Sequence, residues 1–477
     1  MMKRLLFVFP MVVALTLAAE GWGGNWSQFR GPNAAGQAVG AHKLPAQIGP
    51  DQNVLWKVAL PPGHSSPVVH DNRIFLTAVR DKQLLTLGLD RATGKIVWEA
   101  EAPYEQLETI HAIGSYAQAT PATDGERVVS FFGSSGLLCH DMNGKLLWHV
   151  PMGPFKNDLG AGSSPIIVDD WVLLNQDHDI DSFLLAVNKR TGKEVWKVDR
   201  AEFPVGYATP VIWEVNGQKQ VVISGSLRVV GYDLASGKEI WTVHGMARAV
   251  HMTPTIGPDG TLYAAGWTSG GDDNDRFDVP PFDEMLKRHD ANQNGTLEKE
   301  ELPDGPLKQR YSMIDRDKDG HATRAEYEFM RRVFDSARNR LVAIKPGGKG
   351  DVTDSHVSWE QRRYLPVIPS PLCHENVLFL AKNGGILTTL DTRTGKPIKE
   401  ERIPGGSGDY YSSPVVGDGK VYLSSQRGNL VVLSATGEWE VLSRVRFDEE
   451  IFATPALVDG KIYLRTMGHL YCFGSSE

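Results

Sequence analysis

Two stretches of this 477-residue chain carry oxygen-donor side chains at a spacing that suits one hard cation each. The first holds Asp290, Asn292, Asn294, Gly295, Thr296, Glu298 and Glu301. The second holds Asp315, Asp317, Asp319, Gly320, His321 and Glu326. Both follow D-x-[DN]-x-[DN]-G-x5-E over twelve residues, and their first aspartates stand 25 residues apart. Calcium takes roughly six to eight oxygen ligands, and alternate positions of a tight loop converge on one point. Glycine at the sixth place permits the bend, and glutamate at the twelfth closes the site with both oxygens. Position seven, Thr296 or His321, is expected to offer its backbone carbonyl, so the His321 imidazole is not a predicted donor. Glu298 at position nine acts directly or through water. Asp-rich turns bind nothing in most sequences, but two complete matches in tandem predict Ca2+ as the cofactor.

Helical patterning flanks the loops, over Phe282–His289 and Glu326–Arg340, after a Gly/Ser/Asp-rich linker at 266–275. The pair resembles an EF-hand pair. The segment between the loops, 302–314, is short and carries Pro303 and Pro306, so a continuous helix there is not expected. Nor, then, is the opening motion of calcium sensors. Residues 268–338 are predicted to be an inserted calcium-binding domain. Between Gly271 and Arg338 stand 17 Asp and Glu against 12 Lys and Arg, which is most of the net charge of −8. In calcium-rich surroundings a site with Kd ~10⁻⁴ M, tenfold below the free ion, stabilises the fold by roughly 1.4 kcal/mol. A structural staple is sufficient.

The rest of the chain repeats. A Ser/Thr-Pro dipeptide opens a strand-like run at Pro67, Pro121, Pro165, Pro210, Pro254, Pro371, Pro414 and Pro455. The spacings are 54, 44, 45, 44, 117, 43 and 41, and six of the seven fit one four-stranded unit. The 117-residue gap is one unit plus the acidic insertion. Each unit has an Asp/Asn-containing hairpin turn, as at Asp71-Asn72, Asp124-Gly125 and Asp418-Gly419. A second turn follows, as in 90–95, 188–193, 233–238 and 391–396, where an Asx side chain accepts a backbone N–H and glycine takes the left-handed position. Trp98, Trp148, Trp196 and Trp241 come a few residues later, and a flat ring once per unit can wedge neighbouring sheets. The periodicity is two, so the elements are strands.

The prediction is an all-β, eight-bladed β-propeller, or seven-bladed if one irregular unit is not a blade, with a small α-helical EF-hand-like insertion in the fifth unit. Val54–Val58 carries an outer-strand tryptophan but no preceding strands, and the last unit lacks such a strand. Pairing them closes the ring. The propeller is assigned to 51–267 and 339–475.

The Asp-x-x-Thr-Gly-Lys-x-x-Trp hairpins resemble the tryptophan-docking repeats of quinoprotein, or PQQ-like, β-propellers. The likeness extends to Trp26 and Phe29-Arg30-Gly31-Pro32 in a leader at 20–50. That resemblance implies either of two activities. The family includes alcohol dehydrogenases that use pyrroloquinoline quinone and also the non-catalytic scaffold of outer-membrane β-barrel assembly. The dehydrogenases use a vicinal cysteine pair over the cofactor, whereas Cys139, Cys373 and Cys472 are far apart and read as buried small hydrophobes. PQQ is therefore possible but unsupported by site residues. No Ser-His-Asp order, phosphate-cradling loop or paired-carboxylate pattern stands out, and no catalytic residue is assigned.

Three residues before each proline stand His64, Gln118, Gly162, Tyr207, His251, Ile368, Tyr411 and Phe452, with His111 and Tyr116 nearby. Aligned at one rim they suit a peptide, sugar or cofactor; alternatively they cap strand ends. Lys3 and Arg4, an apolar run over 5–17 and the small Ala18 and Ala19 read as a signal peptide at 1–19 with no lipid-anchor cysteine. A composition of 41% hydrophobic and 23% charged residues excludes a polytopic membrane protein, and no basic stretch suggests nucleic acid. The favoured expectation is a secreted or periplasmic calcium-binding scaffold whose partner is a protein or cell-envelope macromolecule. A PQQ-dependent oxidoreductase is the alternative.

Overall fold

The strands form eight sheets arranged as blades, each with four antiparallel strands, and Gly350–Asp351 adds a fifth, parallel strand to the outer edge of one of them beside Glu239–His244. The structure, a computed structural model, describes residues 24–40, 42–157, 159–276 and 278–475. The expected signal peptide lies outside the described residues. Seven blades are continuous in order of sequence: 68–102, 122–151, 166–199, 211–244, 255–361, 372–402 and 415–446. The eighth takes three strands from 456–473 and its outermost from Val54–Ala59, which pairs antiparallel with His469–Phe473 in the register Trp56 to Cys472. The ring therefore closes through a strand from each end of the repeat array, as the orphan tryptophan strand predicts.

Local chemistry explains why each unit folds alike. In the first hairpin turn Asp71, Asp169, Asn216, Asp418 and Asp459 adopt φ of 47–52°, a conformation that short Asx side chains tolerate. In the second, Asp90 accepts from the Thr93 amide at 2.9 Å and its hydroxyl at 2.7 Å, and Gly94 sits at φ 72°. Asp233 with Ser236 and Asp391 with Thr394 repeat the arrangement.

The tryptophans dock on the following blade. The indole N–H groups of Trp56, Trp98, Trp148, Trp196 and Trp359 donate to the carbonyls of Arg91, Met142, Lys189, Leu234 and Thr392 at 2.9–3.2 Å. Trp241 departs from the expectation. Its indole bonds Gln220 of its own blade at 2.7 Å, because the fifth blade's second turn, around Gly347 and Gly348, is not of the Asx–Gly type. Trp213 takes over that seam, bonding the Gly260 carbonyl at 2.9 Å and meeting Trp241 edge-on at 5.5 Å. The three cysteines are buried thiols.

The leader touches several blades. Trp26 pairs with Val69, Arg30 donates to the Pro371 carbonyl at 2.9 Å, and Asn33 exchanges two 2.8 Å bonds with Ile212. Residues 267–339 leave the fifth blade between its second strand, Leu262–Gly266, and its third, Arg340–Ile344. They carry helices α1 (Phe282–His289), α2 (Pro306–Gln309), α3 (Tyr311–Ile314) and α4 (Arg324–Ser336) around their own core of Phe282, Leu297, Tyr311, Tyr327 and Met330. The helix between the acidic loops is broken into two short pieces, as its prolines predict. No described helix is long and apolar enough to cross a membrane.

Candidate functional site: a hydroxyl-belted funnel and twin acidic loops

The Ser/Thr-Pro hydroxyls form a closed belt around the central channel. The Ser66 amide donates to Thr120 Oγ1, Thr120 to Ser164, Ser164 to Thr209 and Thr209 to Thr253. Thr253 donates to Ser370, Ser370 to Ser413, Ser413 to Thr454, and Thr454 back to Ser66, all at 2.9–3.3 Å. Each partner lies one blade ahead, so proline keeps the strand start extended while the hydroxyl ties the seam. The belt residues line a funnel of about 200 Å³, to which Phe29 of the leader also contributes.

All eight rim residues expected from the sequence line this funnel, as does His111; Tyr116 packs instead in a side cluster with Phe132 and Ala117. His64 stacks on Phe452 with centroids 3.8 Å apart, and Tyr207 on His251 at 4.8 Å. Burial and the charge of Arg465 push His64 down to about 3; burial and Arg248 push His251 down to about 4. Both imidazoles are therefore neutral at pH 7. The described funnel lining includes no Asp, Glu, Lys or Arg.

The acidic loops are built as twins. Gly295 and Gly320 adopt φ of 84° and 90° at the bends. Leu297 and Ala322, both at position eight, exchange two backbone bonds at 2.9–3.1 Å and so place the loops side by side. Asp290 accepts from the Asn294 and Gly295 amides at 3.1–3.2 Å, and Asp315 from Asp319 and Gly320 at 3.0–3.2 Å. Glu301 reaches back to the Ala291 amide at 2.9 Å, and Glu326 to that of Arg316 at 3.0 Å. Glu326 also closes a capping box with Thr323 at the start of α4.

In the second loop, Asp315, Asp317 and Glu326 bring carboxylate oxygens within 4.8 Å of one another. Asp315 is 5% exposed, and burial raises its pKa. Asp319 accepts from the His321 amide at 2.8 Å. The His321 ring turns away from its own loop to meet Glu298 at 2.7 Å, which raises the imidazole's pKa. In the first loop, Glu298 is held at about 2 by a hydrogen bond shared with Glu301 and by Asn294, His321 and Thr296. Asn292 donates to Glu298 at 3.0 Å, and Thr296 Oγ1 donates to Asn294 at 2.7 Å. The donor set is one of hard oxygens.

The second loop rests on the propeller. Lys318 pairs with Asp179 at 2.9 Å, Arg316 donates to the Asp179 carbonyl at 3.0 Å, and Lys156 bonds the Asp317 carbonyl. Sequence reading did not single out these contacts or Arg248, whose neighbours come from the returning insertion.

With this geometry in place, comparison identifies the relatives. A family profile described as "Outer membrane protein assembly factor BamB" matches residues 47–158, 117–266 and 331–477. The chain belongs to that family. It is a PQQ-like β-propeller repeat protein. Among solved structures of this architecture, BamB from Moraxella catarrhalis superposes with a TM-score of 0.54 at 12% identity, covering 88% of this chain and 97% of that one. The C-terminal WD40 domain of Sif2 gives 0.51 at 10% identity, over 92% and 100%. A europium-containing methanol dehydrogenase gives 0.48 at 10%, over 95% and 98%. No curated protein sequence matches significantly. The family match stops at 266 and resumes at 331, so the acidic loops fall outside it.

Proposed function

We propose that the protein is an extracytoplasmic calcium-binding β-propeller acting as a non-catalytic interaction scaffold. In this reading residues 1–19 are a cleaved signal peptide, 20–50 a leader, and 268–338 an EF-hand-like calcium-binding domain set into a propeller of 51–267 and 339–475. Asp290, Asn292, Asn294, Thr296, Glu298 and Glu301 hold one Ca2+. Asp315, Asp317, Asp319, His321 and Glu326 hold the second, with Thr296 and His321 contributing backbone carbonyls. The observation that carries the reading is the twinned, inward-folded acidic loops, paired through Leu297 and Ala322, with three carboxylates of the second loop converging. Family membership supports a role in binding protein or another envelope macromolecule, as an assembly factor does.

Pyrroloquinoline quinone does not fit the funnel. The quinone bears carboxylates, yet the described lining includes no Lys or Arg to pair them, and about 200 Å³ falls below the roughly 300–1,000 Å³ of small-molecule sites. Calorimetric titration with calcium tests the reading, with two sites expected. Glu301→Gln and Glu326→Gln should each remove one; heat unchanged in the double variant sinks it. Tight retention of the quinone with alcohol-dependent dye reduction would replace the scaffold with an oxidoreductase.

A further inference from the structure

A second cavity, of about 590 Å³, lies between the funnel wall and the inserted helices, sharing His111, Leu159, Tyr207 and His251 with the funnel. Its size falls in the range of small-molecule sites, roughly 300–1,000 Å³. One wall is propeller, including Val205, Tyr207, Arg248 and Val367; the other is insertion, including Met313, Arg316 and Met330.

Arg248 is the unusual member. A guanidinium offers five donors in a planar fork suited to a carboxylate. Here one nitrogen meets the thioether of Met313 at 3.1 Å, another a single carbonyl, Ser269, at 3.3 Å, and buried Nε has no partner among the described residues. Its Cζ stands 5.5 Å from the Phe334 ring, and the carboxylate that acts on it, Asp275, does so without a direct ion pair among the described residues. Burial, reinforced by the charge of Arg310, lowers the pKa of Arg248 to about 10 against the opposing pull of Asp275. The wall holds a second guanidinium, Arg316, and the one carboxylate among its described residues, Asp179, is already paired with Lys318. The remaining described lining mixes apolar and aromatic side chains with neutral polar ones such as Asn157, Thr268 and Gln309. The Tyr207 and His251 rings stack within 9° of parallel, Trp267 stands nearby, and Nδ1 of His251 and Oγ1 of Thr268 are buried without partners among the described residues.

We infer that this cavity binds a small aromatic carboxylate, its acid group forked by Arg248 and its ring among the Tyr207–His251 pair and the methionines. An uncharged ring would leave the guanidinium unpaired, and a small inorganic anion would leave the apolar volume unfilled. The inference is separate from calcium binding and stands whether or not the acidic loops take the ion.

The test uses the full mature chain with 2-naphthoate and its neutral counterpart 2-naphthalenemethanol, followed by fluorescence and calorimetry. One saturable naphthoate site per chain is expected, tighter than the alcohol by about tenfold or more. Arg248→Gln should erase that preference, Arg248→Lys should keep part of it, and Val367→Trp should block both probes by filling the cavity. Circular dichroism checks folding, and if Arg248→Gln does not fold, the lysine and tryptophan variants decide. Equal binding of acid and alcohol, naphthoate binding indifferent to Arg248→Lys and Val367→Trp, or no saturation at millimolar probe would each overturn the inference.

Discussion

In the channel belt, eight amides each find the hydroxyl of the next blade, and every polar atom so gathered is answered by another. In the second acidic loop, Asp315, Asp317 and Glu326 gather like charges within 4.8 Å, answered only in part by loop amides. The belt is neutral, short-ranged and indifferent to solution conditions. The loop instead carries repulsion that a divalent ion would cancel. One chain thus holds a ring whose hydrogen bonds close on themselves and a loop whose carboxylates crowd one another.

The largest effects should come from breaking the ring's self-sufficiency. Asp177 and Arg200 are fully buried and paired through two bonds of 2.7 and 2.8 Å. Asp177→Ala strands the guanidinium and should destabilise the propeller by about 3–5 kcal/mol in denaturant unfolding, while calcium titration of the insertion is unchanged. A smaller, pH-dependent effect comes from Glu108, which burial raises to about 7 while the Ala161 amide donates to it at 3.1 Å. The folded state keeps a proton there that the unfolded chain has released. Its contribution is complete below pH 4.5 and is lost as pH rises through 7. Glu108→Gln should flatten stability between those values, a gain of the order of 3 kcal/mol at pH 8 measured by unfolding across pH.

On the insertion side, chelation or the pair Glu301→Gln and Glu326→Gln should speed amide exchange in α4 by about tenfold per lost site, equivalent to about 1.4 kcal/mol. Exchange in the blades should not change. If the blades respond equally, the two regions are not independent and the comparison fails. The smallest effect is expected from Thr209→Val, which removes the acceptor of the Ser164 amide, a 3.3 Å bond. A loss of about 1 kcal/mol in thermal unfolding would match one neutral hydrogen bond. A much larger loss would mean that the belt acts cooperatively.

The blade count was legible because Ser/Thr-Pro, the Asx turns and the docking tryptophans are local signals repeated at one spacing. The rim residues His64, Tyr207, His251 and Phe452 could be aligned for the same reason. Other features depend on partners that no local pattern names. Each belt hydroxyl serves an amide 41–54 residues away, 117 across the insertion, or 388 where the ring closes at Ser66, so no local pattern names its partner. Trp359 follows the insertion and is out of step with its repeat, yet it docks on Thr392 as its relatives do. Trp241 has the right spacing, but its seam partner lacks the receiving turn. Arg248 is one arginine among many in sequence, and its setting arises where Met313 and Ser269 come back against the propeller.

The eighth blade has an implication for how the molecule is made. Val54–Ala59 emerges from synthesis hundreds of residues before its partner His469–Phe473, and Ser66 before Thr454. Val54–Ala59 must wait, edge exposed, until nearly the whole polypeptide has been produced. The final latch therefore selects for full-length chains, and a prematurely stopped product would display a bare strand edge open to self-association or proteolysis.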